Sequence, residues 1–201
     1  MSTDTKINWL EGLDLAYSVS SQSHKPVLAF FHYEHCTGCK KTIANTLPKM
    51  SVIDYVSDNY VPVMLETTQK AGDAELYGIE WTPTFVVMDD HGKEAYRWVG
   101  YLPEDDFMGH LNMALATYAL KKKDYLNAER LFDEIVLKFP LTEFAPQAAY
   151  YLGVVKYRAT GDVNCLSKAY IDLKVSYPDS PWTVKASAWE KAYIDSFRKA
   201  A

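Results

Sequence analysis

The tightest constraint on this chain is a junction. Val27-Leu-Ala-Phe-Phe31 is an apolar run too short for a helix, and it reads as a buried strand. A short polar stretch leads from it into Cys36-Thr37-Gly38-Cys39 and on to Leu47, a segment that reads as a helix interrupted at Pro48. A strand feeding a helix that opens on two cysteines three apart places both thiols on one side of the first turn, close enough to bond. Unpaired backbone N–H groups and the partial positive charge of a helix start favour thiolate over thiol there. A nucleophilic Cys36 with a lowered pKa and a more buried Cys39 are therefore expected. The pair also falls at the carboxyl edge of a sheet, where α/β proteins place their sites.

The rest of the first half fits one α/β layer with a mixed sheet. Trp9, Leu13, Ala16 and Tyr17 share a helical face, and Tyr60–Leu65 reads as a second strand with Pro62 near its start. A short helix is expected over Ala71–Tyr77. Strands Thr84–Met88 and Glu94–Trp98 are joined by the turn Asp89-Asp90-His91-Gly92, and a helix runs from about Pro103 to about Leu120.

After residue 111 the strand patterns stop. Asp124, Ala128, Phe132, Pro140, Phe144 and Ala148 are matched, thirty-eight residues on, by Asp162, Leu166, Tyr170, Pro178, Trp182 and Ala186. Similar residues at one constant offset mark stacked helical hairpins. The segment resembles the tetratricopeptide family over roughly residues 112–200, ending in a helix Pro181–Lys199, though Cys165 and Leu166 stand where a small Ala is usual. A plain helical bundle is the alternative. Tyr150, Tyr151, Tyr157, Tyr170, Trp182 and Trp189 recur at helical spacing and read as interhelix packing. The expected division is residues 1–113 for the α/β domain and 114–201 for the helical module. No Gly-, Ser- or Pro-rich stretch separates them, so a continuous helix is expected at the join.

Charge and cysteine usage narrow the function. Residues 1–110 carry eight Lys and Arg against sixteen Asp and Glu, net −8, which argues against a nucleic-acid surface; residues 111–201 carry thirteen against ten, net +3. Three cysteines cannot make a disulfide scaffold. No apolar run approaches the ~20 residues of a membrane helix. Met1-Ser-Thr-Asp-Thr-Lys6 lacks the features of a secretory leader, so a cytoplasmic setting is expected, or a periplasmic one if a leader has been removed.

Other readings of the cysteine motif are weaker. A zinc site needs another half, which the distant Cys165 does not supply. His32 and His35 with Cys36 and Cys39 would have to wrap one strand-to-helix turn around a tetrahedral ion. Haem attachment needs His where Lys40 stands. No metal and no cofactor are expected.

The strand, Cys36-x-x-Cys39-Lys40, Trp81-Thr82-Pro83-Thr84-Phe85, the hairpin and Val99-Gly100 occur in an order and spacing similar to thioredoxin across roughly residues 7–113. That resemblance implies an α/β thioredoxin fold, a redox-active Cys36–Cys39 disulfide, Cys36 as attacking thiol and Cys39 as resolving thiol. It also implies that Pro83 is a cis-proline beside the pair and that the Thr82 backbone, next to Trp81, receives a substrate chain. The chain departs from thioredoxin in having His35 before the first cysteine, Thr37-Gly38 between the two, and Phe30 where thioredoxin keeps a buried Asp. His35 and Lys40 are the candidates for tuning the thiol pKa, His35 as a local cation or proton carrier; the plainer reading of His35 is an exposed loop residue. Glu34 and Glu66 fall near the pair, with solvated carboxylates as the plainer reading.

Two function classes follow. One is a thiol–disulfide oxidoreductase acting on protein substrates, supplied by a reductant system whose identity the residues do not specify, with the helical repeats docking a dedicated partner. The other is a protein-binding scaffold or redox sensor in which the cysteine pair does no turnover.

Overall fold

A computed structural model describes residues 6–190 and Asp195. The division between two compact units falls between Tyr118 and Ala119.

In the first unit, strands β1 (Val27–His32), β2 (Val61–Glu66), β3 (Thr84–Met88) and β4 (Glu94–Val99) form one sheet in the order β2-β1-β3-β4. β1 runs parallel to β2 and antiparallel to β3, and β4 is antiparallel to β3. Both faces of β1 are covered, which is why its sequence is continuously apolar rather than alternating. Val27, Ala29 and Phe31 point to one face with Val63, Leu65, Val86 and Met88, where Leu13 and Ala16 of α1 (Leu13–Ser23) pack. Leu28 and Phe30 point to the other with Phe85, Val87 and Trp98. That face is covered by Val52, Ile53 and Val56 of α3 (Met50–Asn59) and by Phe107 and Leu111 of α5 (Glu104–Lys121). A short helix α4 (Ala71–Leu76) precedes β3. Phe30 stacks on Phe85 at 4.5 Å, Phe85 on Trp98 at 5.0 Å, and Trp98 on His110 at 5.4 Å. This column of rings crosses β1, β3 and β4 along register neighbours and ends on α5. Emptying the fully buried Phe30 or Phe85 position costs about 3–5 kcal/mol in general.

The β3–β4 turn is built by Asp89, whose Oδ1 accepts from the backbone N–H groups of His91 and Lys93. Gly92 at φ +76° occupies the left-handed region that a side chain resists.

One expectation for this unit fails. Trp9 is not on the first helix. Leu10 pairs with Val63 as an isolated parallel bridge, Gly12 adopts φ +141°, and the helix starts only at Leu13. Trp9 instead sets its ring 5.9 Å from Phe30.

The second unit contains α6 (Tyr125–Lys138), α7 (Phe144–Thr160), α8 (Asn164–Ser176) and α9 (Pro181–Ala186). Asp124 caps α6 by accepting from Asn127 N, and Gly161 ends α7 in the left-handed conformation. Ala128, Phe132, Phe144, Ala148 and Ala186 are buried. A side chain at Gly153 would place its Cβ 2.3 Å from that of Ala169 and 3.6 Å from the Cys165 carbonyl oxygen, so α7 and α8 approach closely at this glycine. Tyr150 packs against both Trp182, at 5.2 Å, and Trp189, at 4.5 Å. The helix expected over Pro181–Lys199 is interrupted: α9 ends at Ala186 and a 3-10 turn spans Ser187–Trp189, after which Glu190 and Asp195 are again helical. Apart from Asp195, the stretch expected to be helical beyond residue 190 lies outside the described residues.

Candidate active site

The site forms where β1 ends. Leaving the sheet at His32, the chain turns through Tyr33–His35, and the Cys36 N–H donates to Tyr33 O at 3.0 Å. Cys36 is the N-cap of the short helix α2 (Thr37–Lys41), in an extended conformation, and its sulfur accepts from Cys39 N at 3.2 Å. The helix continues through a π-helical turn, Thr42–Thr46, held by Thr42 Oγ1 donating to Gly38 O and by Thr46 Oγ1 donating to Leu102 O. Cys36 is partly exposed, whereas Cys39 is 1% exposed and belongs to the sheet's core.

The second element of the site is the segment entering β3. The Thr82–Pro83 peptide bond is cis. The Cys36 thiol donates to Thr82 O at 3.3 Å, Thr84 Oγ1 donates to Trp81 O, and Gly100, at φ +97°, donates its N–H to Pro83 O at 2.8 Å. Gly38 lies so close to this segment that a Cβ there would sit 3.0 Å from Pro83 Cδ. Thr37-Gly38 thus lets the cysteine turn and the proline approach each other. Around them, Tyr33, Ile79, Trp81, Thr82, Pro83 and Tyr101 border an open groove of about 590 Å³ beside Cys36, with the Trp81 ring 71% exposed.

The two thiols are pushed apart electrostatically. Burial pushes Cys36 up, but the Cys39 thiol, the Thr82 side chain and the backbone N–H groups of Cys39 and Gly38 outweigh it, so its pKa falls below the ordinary thiol value. Burial pushes the Cys39 thiol up to about 11, and its hydrogen bond to Cys36 adds to the shift. One negative charge shared by the pair therefore resides on Cys36, with Cys39 as the donor. On ionisation Cys36 gives up its own donation to Thr82 O and becomes an acceptor only.

His35 and Lys40 lie apart from this network. The His35 ring is exposed and meets Tyr33 edge-on at 5.4 Å, and Lys40 lines a separate cavity beside Cys39. Glu66 lines that same cavity and accepts from the backbone N–H groups of Thr68 and Gln69 through Oε2. Sequence reasoning gave no site role to Tyr33, Ile79 or Tyr101. Their apolar bodies carry no motif, and only the fold brings them to one groove. Among the described residues, no group of three or more His, Cys, Asp or Glu side chains is placed to hold a metal ion.

Residues 13–115 match the family model of the thioredoxin-like domain, just over half of the chain. The chain belongs to the thioredoxin-like family. A solved structure agrees on the fold of this thioredoxin-like domain. A putative disulphide-isomerase from Bacteroides thetaiotaomicron is 17% identical and matches 57% of this chain and 97% of its own, with a TM-score of 0.50. A thioredoxin from Thermus thermophilus is 22% identical over 54% of this chain and 86% of its own, at 0.49. A DsbH oxidoreductase is 18% identical over 57% and 91%, also at 0.49. No curated protein matches the chain in sequence. The thioredoxin-like part is thus an α/β thioredoxin fold, and an all-helical region follows it.

Proposed function

We propose that this chain is a thiol–disulfide oxidoreductase that exchanges the Cys36–Cys39 dithiol with disulfides of protein substrates. The observation that carries the reading is the split between the two thiols: a partly exposed Cys36 held below the ordinary thiol pKa, hydrogen-bonded to a buried Cys39 raised to about 11. Exchange needs this order, because the thiolate is the nucleophile and the second thiol must wait until the first has reacted. Cys36 attacks a substrate disulfide to give a mixed disulfide. Cys39 then attacks Cys36, leaving an internal disulfide and a reduced substrate. The substrate chain lies in the groove across Trp81, Thr82 and Pro83, its sulfur meeting Cys36 next to the cis-proline. An external reductant returns the pair to the dithiol.

In this reading residues 1–113 carry out the chemistry and residues 114–201 dock the partner. The helical part is read as tetratricopeptide-like, because α6–α7 and α8–α9 are successive hairpins whose buried small and aromatic residues follow the thirty-eight-residue offset.

Turnover of insulin disulfides with dithiothreitol tests the reading. Cys36→Ser should abolish it, and Cys39→Ser should accumulate mixed disulfides on Cys36. Full retention of turnover by Cys36→Ser would leave the chain a scaffold or a passive redox sensor.

A further inference from the structure

A buried thiol must lose its proton before it can resolve a mixed disulfide, and the structure offers a route for that proton. Cys39 lines a cavity of about 680 Å³ that shares only Tyr33 with the substrate groove. β1 and β2 contribute His32 and Glu66 to it, and these are register neighbours in the parallel pair, so their side chains stand on the same face of the sheet. Trp9, Ile43 and Met64 form apolar walls, and the His32 ring lies 5.4 Å from Phe30. The remaining charged groups facing the cavity are Glu11 and Glu34 from loops, Lys40 from α2 and Lys70 from the start of α4. Glu66 is held in place through Oε2, and the Glu34 backbone N–H also stabilises its carboxylate, while Oε1 has almost no exposed surface and no hydrogen bond of normal geometry. An enclosed carboxylate oxygen beside an imidazole is where a positive charge on that imidazole would be welcome.

We propose that His32, positioned and electrostatically supported by Glu66, accepts the Cys39 proton through water in this cavity as Cys39 resolves the mixed disulfide. Burial lowers the His32 pKa and Glu66 partly offsets this, so the ring is a neutral base at neutral pH. In the step itself the Cys39 proton passes to His32 and the Cys39 sulfur bonds to Cys36 Sγ. The bond from Cys36 to the substrate sulfur breaks, its electron pair leaves with that sulfur, and the leaving thiolate is protonated from solvent as His32 releases its proton. The two cysteines are oxidised, the substrate disulfide is reduced, and no further oxidant enters. A cavity of this size with several polar partners holds water readily.

The inference rests on the exchange reading above, and its test separates the two. Reduced full-length protein in a Cys165→Ser background is mixed with one equivalent of 5,5′-dithiobis(2-nitrobenzoate). The first thionitrobenzoate release reports Cys36 attack, and the second reports resolution by Cys39. His32→Gln should slow the second release about a hundredfold near neutral pH, the low end of general-base effects, and leave the first within about twofold. Glu66→Gln removes a carboxylate that raises the imidazole pKa, so the pH midpoint of the second release should move down and its plateau fall. An unchanged second release and midpoint in both variants would overturn the role of His32 while leaving exchange intact. Absence of any second release from the unsubstituted His32 protein would overturn both. If His32→Gln slowed both releases alike, the Glu66→Gln midpoint would decide: a downward move supports the relay, and a fixed midpoint overturns it.

Discussion

At the scale of single residues the site depends on a few contacts that leave little room. Gly38 is the clearest, because its missing side chain is what allows Pro83 Cδ to approach. Gly38→Val must push the cysteine turn and the Thr82–Pro83 segment apart, lengthening the 3.3 Å contact between Cys36 Sγ and Thr82 O. Displacements of about 1 Å in a reacting geometry cost roughly a hundredfold. Insulin reduction by Gly38→Val is expected to fall about ten- to a hundredfold with the thermal midpoint little changed. Turnover within twofold of the parent would mean that the close approach has no bearing on the chemistry. The cysteine spacing and the Trp81-Thr82-Pro83 segment were legible in the sequence because they are local motifs. His32 was legible only as a candidate ligand. Its placement with Cys39 and Glu66 depends on the parallel register of β1 and β2, which no local pattern encodes.

At the scale of elements, apolar runs and turn residues marked the four strands well, since burial on both faces and the Asp89–Gly92 turn leave direct traces in composition. The first helix was misjudged for a physical reason. Trp9 matches the helical period of Leu13, Ala16 and Tyr17, yet the Leu10–Val63 bridge and the Gly12 conformation hold it in an extended segment. The aromatic column makes a further element-level prediction. His110 of α5 stacks on Trp98, and burial lowers its pKa to about 4 against the opposing pull of Asp106. The unfolded chain binds a proton on this residue below about pH 6.5, whereas the fold refuses it until about pH 4. Stability contributed by neutral His110 is therefore complete above that window and lost as pH falls through it. Discounted for partial exposure, the loss is about 1–2 kcal/mol. His110→Phe keeps a ring in the stack and should flatten the fall in thermal midpoint between pH 7 and pH 4.5. His32, whose pKa is also lowered, contributes the same sign in both proteins. An identical slope for the two would remove His110 from the acid response.

At the scale of the whole chain the claim is a division of labour. The residues proposed for exchange, Cys36, Cys39, Thr82 and Pro83, all lie inside the stretch that matches the thioredoxin-like domain. The change from strand to helical patterns after residue 111 was visible because β4 is the last strand among the described residues and α5 begins a run of helices. The break in the final helix was not, because a 3-10 turn at Ser187–Trp189 leaves the apolar spacing intact. A chain ending at Lys121 should reduce insulin within about threefold of the full chain, while Cys39→Ser in that background should trap fewer natural partners than full-length Cys39→Ser. Equal partner sets would reduce residues 114–201 to a stabilising role. The central claim, that Cys36 and Cys39 are a redox pair with Cys36 outermost, is tested most directly by equilibrating the protein across a series of glutathione redox ratios. Each mixture is acid-quenched and alkylated, and the state of every cysteine is mapped by mass spectrometry. The account predicts a reversible internal Cys36–Cys39 disulfide in the unsubstituted chain, a glutathione adduct confined to Cys36 in Cys39→Ser, and Cys165 left as a thiol. A pair that stayed reduced at every ratio, or glutathione collecting on Cys39 while Cys36 remained free, would contradict it.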